Sequence, residues 1–352
     1  MSHRGLDVRD FSLGAGRILG HALDFDGVCM LTFDPATLLP TGEVVENGLP
    51  PAATTRMAEI EVGPEDDVNK FTELARAGKH ARSLSEATGG HLDQSRRHRE
   101  VRRPHGWGDE LRAALVSDAT TWGAIILLRE GGRPAFAPGD VAVVEQLTNH
   151  LAEGLRRSVV RSALSAAVPG QEAAGLVVLE ADNSILSTNP SGQVWLEELM
   201  GGTPSGQQVP GVITAVAARA RGAASGDASS DAQARVRTAS GTWLLLHGST
   251  VGEGSEARTA VILEPARTPE LAPLIADAYG LTPRERVITE CIARGLNTNS
   301  IAARLHLSPW TVQDHLKSIF EKTDTGTRGE LVARIFFEHY APPRLANPAA
   351  MW

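Results

Sequence analysis

Residues 280 to 341 specify four short helices with their own starts and stops, and no other stretch limits the fold as tightly. In "LTPRERVITECIARGL", Thr282 is an N-cap, Pro283 takes the first helical position and Glu285 follows the cap by three, the spacing of a capping box. Val287, Ile288, Cys291 and Ile292 form the expected buried stripe, and Gly295 supplies the left-handed residue that stops a helix. Asn297 caps a second helix carrying Ile301, Ala302 and Leu305, and Ser308-Pro309 starts a third. "GTRGELVARIFF" repeats the capping logic with Thr327 and Glu330, ahead of Leu331, Val332, Ile335 and Phe336. The expectation is a compact four-helix bundle.

The third helix, Pro309 to about Lys322, carries the functional signal. At about 100° per residue, Val312, His315, Leu316 and Ile319 share one face, which must be the core face. Trp310, Gln313, Asp314, Lys317 and Glu321 lie on the other. Amide, carboxylate and ammonium groups on a helix-turn-helix suit the major groove, where base edges show distinct donor and acceptor patterns. A solvated face on a helical module that docks a protein partner fits the same spacing. Periodicity alone does not separate the two.

Charge narrows the choice of mode. Residues 280 to 341 hold eight Lys/Arg against seven Asp/Glu, a net +1, so the rest of this chain of net charge −8 carries −9. An acidic body with a near-neutral tail is no nonspecific nucleic-acid coat, and DNA binding would need a few well-placed charges.

At 352 residues the chain calls for two or three domains. The fold class expected is multidomain α+β: two sensor domains with antiparallel sheets and flanking helices, then the four-helix bundle. Residues 1–165 alternate helical and strand patterns. "FSLGAGRILGHAL" has helical spacing through Phe11, Ile18, Leu19 and Leu23, "GVCMLTF" reads as a buried strand, and "DELRAALVSDATTWGAIILLRE" as two strands joined at Asp118 to Thr120. One long helix follows from Pro138 to about Leu164, with Val141, Val144, Leu147, Leu151, Leu155 and Val159 as its stripe; a helix this long is expected to pair with a second copy. Residues 166–268 give a strand, a turn at Asp182-Asn183, a strand, a short helix opened by Pro190, a small polar stretch at 219–237 read as a disordered loop, and then, from its last three residues "RVR" onward, three strands separated by "SG" and "GEGSE" turns. Residues 269–279 are the linker, stiffened by prolines such as Pro269 and Pro273, 280–341 the bundle and 342–352 a tail.

Three resemblances attach to these segments. "VLEADNSILSTNPSGQVWLEEL" resembles the start of a PAS domain, and the first segment, ending "WGAIILLRE…FAPGDVAVVEQLTNHLAEGLRR", resembles a GAF domain. Residues 280–341 resemble the LuxR-type helix-turn-helix of bacterial transcription regulators, through "LTPRE", the "IA" pair, "LS" followed by "TV", the His four residues after that Thr, and "TR…EL". This resemblance implies a regulator whose exposed positions after "TV" read bases, here Gln313, Asp314 and Lys317, with phosphate contacts at Ser308, Thr311, Lys322 and Arg328. The family commonly places Lys directly after "TV"; Gln313 departs from that and favours an adenine edge, while Asp314 can accept from a cytosine amino group. The implied partners are double-stranded DNA with an inverted-repeat operator, a second copy of the chain, and RNA polymerase.

The sensor half offers weaker signals. Arg96, Arg97, Arg99, Arg102 and Arg103 make the densest basic run, either an anion pocket or a solvated helix. Trp107, Trp122, Trp195 and Arg103 are the candidate ligand contacts for a small-molecule effector, against ordinary packing for each Trp. The histidines have no metal-ligand spacing, Cys29 and Cys291 form no pair, and no nucleophile motif or phosphate-binding loop is present, so neither catalysis, a metal nor a certain cofactor is expected. No run of about 18 apolar residues appears and no signal core opens the chain, so a cytoplasmic protein without membrane partners is expected. The reading is a ligand-controlled, DNA-binding transcription regulator; the alternative is a ligand-sensing signalling protein whose helical C-terminal domain docks a protein partner.

Overall fold

The computed structural model describes residues 7–164, 173–201, 209–224, 231–252 and 257–337. In chain order these form α1 (Val8–Leu19), β1 (Gly27–Phe33), β2 (Pro40–Glu46), α2 (Pro51–Val62), α3 (Phe71–Arg76), β3 (Ala81–Ser83), α4 (Leu84–Ala87), β4 (Trp107–Ser117), β5 (Thr120–Glu130) and α5 (Pro138–Leu164). Then come β6 (Gly175–Leu179), β7 (Ile185–Thr188), α6 (Pro190–Met200), α7 (Gly211–Ala224), β8 (Gln233–Arg237), β9 (Trp243–Val251) and β10 (Arg258–Pro265). The C-terminal part is helical: α8 (Thr268–Ala278), α9 (Pro283–Ala293), α10 (Thr298–Leu305), α11 (Pro309–Thr323) and α12 (Arg328–Val332), continued by a wider π-helical turn, Ala333–Phe337. Two compact units separate, one within residues 1–155 and 170–265 and one within 156–169 and 266–352.

The first unit holds two five-stranded antiparallel sheets, in the orders β2-β1-β5-β4-β3 and β7-β6-β10-β9-β8. β4 and β5 are joined by Asp118 and Ala119, both at positive φ, the geometry a two-residue hairpin needs. β5 is buried along nearly its whole length because both faces are covered. On one side Gly123 lets Leu155 of α5 approach the strand, and Gly154 of α5 lies where a Cβ would collide with the Phe11 ring of α1. On the other side Cys29, Phe33, Phe71, Trp107, Ile126 and Leu128 form an apolar cluster. Burial pushes the Cys29 thiol up to about 12, assisted by the nearby Glu43 charge, so it stays protonated at neutral pH.

The two sheets are joined by polar contacts and a shared core. Asp34, in the turn after β1, accepts from the Arg235 backbone N–H at 2.8 Å and from its guanidinium Nε at 2.9 Å. Arg219 donates to the Val62 carbonyl at 3.2 Å, and Asn183 to Glu59 at 2.9 Å. Leu39 and Val62 are members of the core that the second sheet makes with α6 and α7. The second sheet therefore completes its core with residues contributed by the first segment.

Several expectations meet corrections. The stretch 219–237 is not a disordered loop at either end: residues 219–224 finish α7 and 233–237 are β8, with 225–230 outside the described residues. Its small residues serve close packing, since Val216 and Ala220 of α7 lie against Gly248 of β9 with no room for a Cβ. Ile18 is 55% exposed, while α1 buries Phe11, Ala15 and Leu19. On α5 the buried face runs through Val144, Thr148, Ala152 and Leu155, leaving Val141, Leu147 and Leu151 half-buried. The proline-bearing segment before the bundle is a helix, α8, with Pro273 inside it. Val287 is 38% exposed. The side chain of Phe336 lies outside the described residues.

Candidate nucleic-acid interface

Each helix around the interface is set by a local hydrogen bond the sequence encodes. Thr282 accepts from the Glu285 backbone N–H at 3.3 Å and Glu285 accepts from the Thr282 N–H at 2.7 Å, closing the capping box of α9. Gly295 takes φ 78° after α9. Asn297 accepts from the Ser300 N–H at 2.9 Å and starts α10. His306 then enters the left-handed region at φ 53°, and the Leu307 N–H reaches back to the Ala302 carbonyl at 2.9 Å. Ser308 accepts from the Thr311 N–H at 3.0 Å, with Pro309 in the first turn of α11. Thr327 accepts from the Glu330 N–H, but the Glu330 carboxylate reaches Gly326 rather than the cap residue.

α11 buries Val312, Leu316 and Ile319, with His315 half-buried. Its orientation is fixed against α9 by Glu285, which accepts from Ser318 Oγ at 2.7 Å and from Lys322 Nζ at 2.7 Å. Burial alone would raise this carboxyl; the hydrogen bonds from Lys322, Ser318 and Thr282 outweigh it and hold Glu285 below the usual carboxylate range. Arg328 donates to the Leu296 carbonyl and to Thr298 Oγ1, each at 2.8 Å, and ties α12 to the start of α10. Arg284 donates to the Leu305 carbonyl at 2.8 Å.

The opposite face of α11 is open. Gln313, Asp314, Lys317 and Glu321 are exposed, and Trp310 is 76% exposed. Gln313 Nε2 donates to Thr298 Oγ1 at 3.4 Å, across to the first turn of α10. Beside this face runs a shallow groove lined by Gln313, Leu316, Lys317, Phe320, Glu321 and Thr325. The structure thus puts Gln313, Asp314 and Lys317 on one exposed stripe, with Ser308 and Thr311 at its N-terminal end. Lys322 and Arg328 each already hold internal partners. Sequence reasoning passed over Arg304, an exposed cation on α10 one turn after Ile301 at the edge of the buried stripe; a check of every Lys and Arg on α10 as well as α11 would have found it.

The sensor-half candidates are not brought together. Trp107, Trp122 and Trp195 are 6%, 1% and 1% exposed and belong to packed cores. Trp195 donates to the Ala173 carbonyl at 3.1 Å and lies against Gly175. Arg103 is at the surface, bonded to Asp93 at 2.6 Å beside a shallow cleft with His91, Gln94 and His98. The basic run around it is divided, with Arg99 and Arg103 exposed and Arg96 half-buried. Arg97 and Arg102 are buried on Glu110, Arg97 also bonds Asp67 at 3.1 Å, and Arg112 bonds Glu61 at 2.6 Å. Arg112 also stacks over the Phe71 ring, 3.8 Å from its centroid. Among the described residues no group of His, Cys, Asp or Glu is placed to hold a metal, and no helix is long and apolar enough to cross a membrane.

Comparison with known proteins places one part of the chain. The family model for bacterial regulatory proteins of the luxR family matches residues 280–335. The transcriptional regulatory protein UhpA of Escherichia coli is 39% identical over 71 residues, 20% of this chain and 36% of that protein. The nitrate/nitrite response regulator protein NarL of Escherichia coli is 39% identical over 87 residues, 24% of this chain and 40% of that one. A putative HTH-type transcriptional regulator of Aeromonas salmonicida is 41% identical over 59 residues, 17% of this chain and 30% of the relative. The chain therefore spans roughly a third of the length of these relatives. Among solved structures, a GAF domain/HD domain protein from Geobacter sulfurreducens covers 46% of this chain and 99% of its own at 17% identity and TM-score 0.34. Escherichia coli SdiA covers 96% of this chain and 94% of its own at 12% identity and TM-score 0.31. With its caps, its tight turn and its exposed third helix all in place, the segment at residues 280–335 is a helix-turn-helix domain of the luxR family of bacterial regulatory proteins.

Proposed function

We propose that this protein is a cytoplasmic, sequence-specific DNA-binding transcription regulator, acting as a homodimer and controlled by a small molecule held in the GAF-like or the PAS-like half. The observation that carries the reading is the exposed stripe of α11, where Gln313, Asp314 and Lys317 stand clear of the bundle on a helix fixed from behind by Glu285. Gln313 addresses an adenine edge, Asp314 a cytosine amino group, and Lys317 a guanine or a phosphate. Ser308 and Thr311 at the N-terminus of α11 contact phosphate, joined by Arg304 and by whatever N–H groups Lys322 and Arg328 leave free.

A bundle with so few unpaired cations binds one half-site weakly, and two copies on an inverted repeat multiply the phosphate contacts. The half-buried apolar residues of α5, Val141, Leu147 and Leu151, support pairing, with the C-terminal helix after Thr327 as a second proposed contact. RNA polymerase is the further partner such a regulator addresses. An effector that favours one arrangement of the two sheets would shift the relative placement of the DNA-binding halves.

The test is in vitro selection of bound DNA from a random duplex library by the full chain. Enrichment of a two-fold symmetric motif supports the dimeric regulator. If nothing enriches with the full chain or with residues 266–352, the protein-docking alternative replaces it.

A further inference from the structure

Trp310 is the most exposed of the large apolar side chains among the described residues, at 76%, whereas Trp107, Trp122 and Trp195 are buried. It adds nothing to the core of the bundle, which α11 makes with Val312, Leu316 and Ile319. Single exposed apolar residues are ordinary on protein surfaces. The position of this one is not arbitrary. At about 100° per residue, Trp310 falls within the arc spanned by Gln313, Asp314, Lys317 and Glu321, in the first turn of the helix, the end that enters the groove in helix-turn-helix docking. That first turn has few polar groups to offer a base: Pro309 has no N–H, and Ser308 and Thr311, which bond each other, are the residues assigned to phosphate above. An indole there can offer one N–H and a broad apolar face.

The major groove presents one apolar group, the 5-methyl of thymine. Residues three apart on a helix have Cβ atoms about 5–6 Å apart, and successive base pairs along a strand are about 3.4 Å apart. Trp310 and Gln313 therefore address adjacent or next-adjacent base pairs. We propose that Trp310 is a specificity-determining residue that packs its indole on a thymine methyl beside the adenine read by Gln313. The inference rests on the DNA-binding reading above and adds to it a preference for A·T pairs at the edge of each half-site.

The test uses the operator selected by the full chain, with each thymine replaced singly by deoxyuridine, which removes only the methyl group. The full chain and its Trp310→Ala and Trp310→Phe variants are titrated by fluorescence anisotropy at fixed salt. One symmetric deoxyuridine position should weaken the native chain about fourfold per half-site, the worth of one buried methyl. Trp310→Ala should lose at least about tenfold in affinity and become insensitive to that position, while Trp310→Phe keeps part of the sensitivity. Because the side chain is exposed, an unchanged melting temperature confirms that the variants are folded. A deoxyuridine penalty of equal size in the native chain and Trp310→Ala overturns the thymine contact, as does a uniform loss with no sensitive position, which would put the indole on the sugar-phosphate backbone. A native chain that selects no sequence sinks the regulator reading itself, and this inference with it.

Discussion

Glu285 and Lys322 are bonded at 2.7 Å, so the residue that closes the first turn of α9 also holds the last turn of α11. The carboxylate is 4% exposed and receives Ser318 as well, while the lysine keeps 33% of its surface in water. One acidic side chain thereby sets a helix start and the angle of the proposed reading helix.

Because the folded carboxyl of Glu285 lies below its unfolded value, its contribution to stability is complete above the unfolded value, about 4.3, and is lost as pH falls through the folded one. Glu285→Gln should cost about 1–2 kcal/mol at neutral pH and flatten the acid limb of the melting temperature against pH, measured by calorimetry between pH 3 and 7. An acid limb unchanged by the substitution would remove this pair from the account.

The buried cluster around Glu110 predicts a larger loss. Burial favours the protonated acid, but Arg97, Arg102 and Arg112 outweigh it and hold the carboxyl far below the usual range. Removing one partner leaves buried charge uncompensated, so Glu110→Gln or Arg97→Met should each cost about 3–5 kcal/mol in urea unfolding. The double variant should cost less than the two single losses combined, because the pair is removed together.

Asp34→Ala should loosen the second sheet from the first. Asp34 is 2% exposed on its side chain and receives both the backbone and the guanidinium of Arg235. The expected loss is about 3 kcal/mol, with new proteolytic cleavage between residues 231 and 265 in the variant. Cleavage patterns identical to the native chain would mean that the shared core through Leu39 and Val62 holds the sheets together alone.

Salt dependence should sort the basic residues of the bundle. Lys317→Ala and Arg304→Ala should each lower the slope of log affinity against log salt by about 1, with stability unchanged because both are exposed. Lys322→Ala should lower stability, since Glu285 loses its charged partner, and should lower the slope by less than either exposed cation because part of the ammonium is already engaged. Equal slopes for all three variants would show that the internal ion pair does not keep Lys322 from the DNA.

Base preference gives the last prediction. Gln313→Ala and Asp314→Ala should relax selection at separate positions of the half-site, each by about 1–3 kcal/mol against the wrong base. Selection unchanged in both would return α11 to the status of a solvated face.

In the helical bundle, local chemistry was enough. Thr282, Asn297, Ser308 and Thr327 each sit three residues before the N–H they cap, and such bonds need nothing distant to form. The strands were equally legible where apolar runs met turn residues, as in "GVCMLTF" or the Asp118-Ala119 hairpin. The alanine-rich end of α7 was not, because its small residues look like a loop until α7 and Gly248 require close approach. The basic run at 96–103 misled for a related reason. Its charges read as an anion pocket or a solvated helix; Arg99 and Arg103 do face water, but Arg97 is buried, which only the strand partner Glu110, with Asp67, makes possible.

The sequence by itself determined the helix boundaries of the bundle, the pattern of its core and the stripe that reaches outward, because these depend on bonds and periodicities within a few residues. Only the tertiary structure decided that Lys322 and Arg328 are engaged internally, that Arg304 is exposed, that the three sensor-half tryptophans are buried, and that the second sheet shares its core with the first. Each of those depends on which side chain, distant in sequence, the fold brings within a few ångströms, and no local rule encodes that.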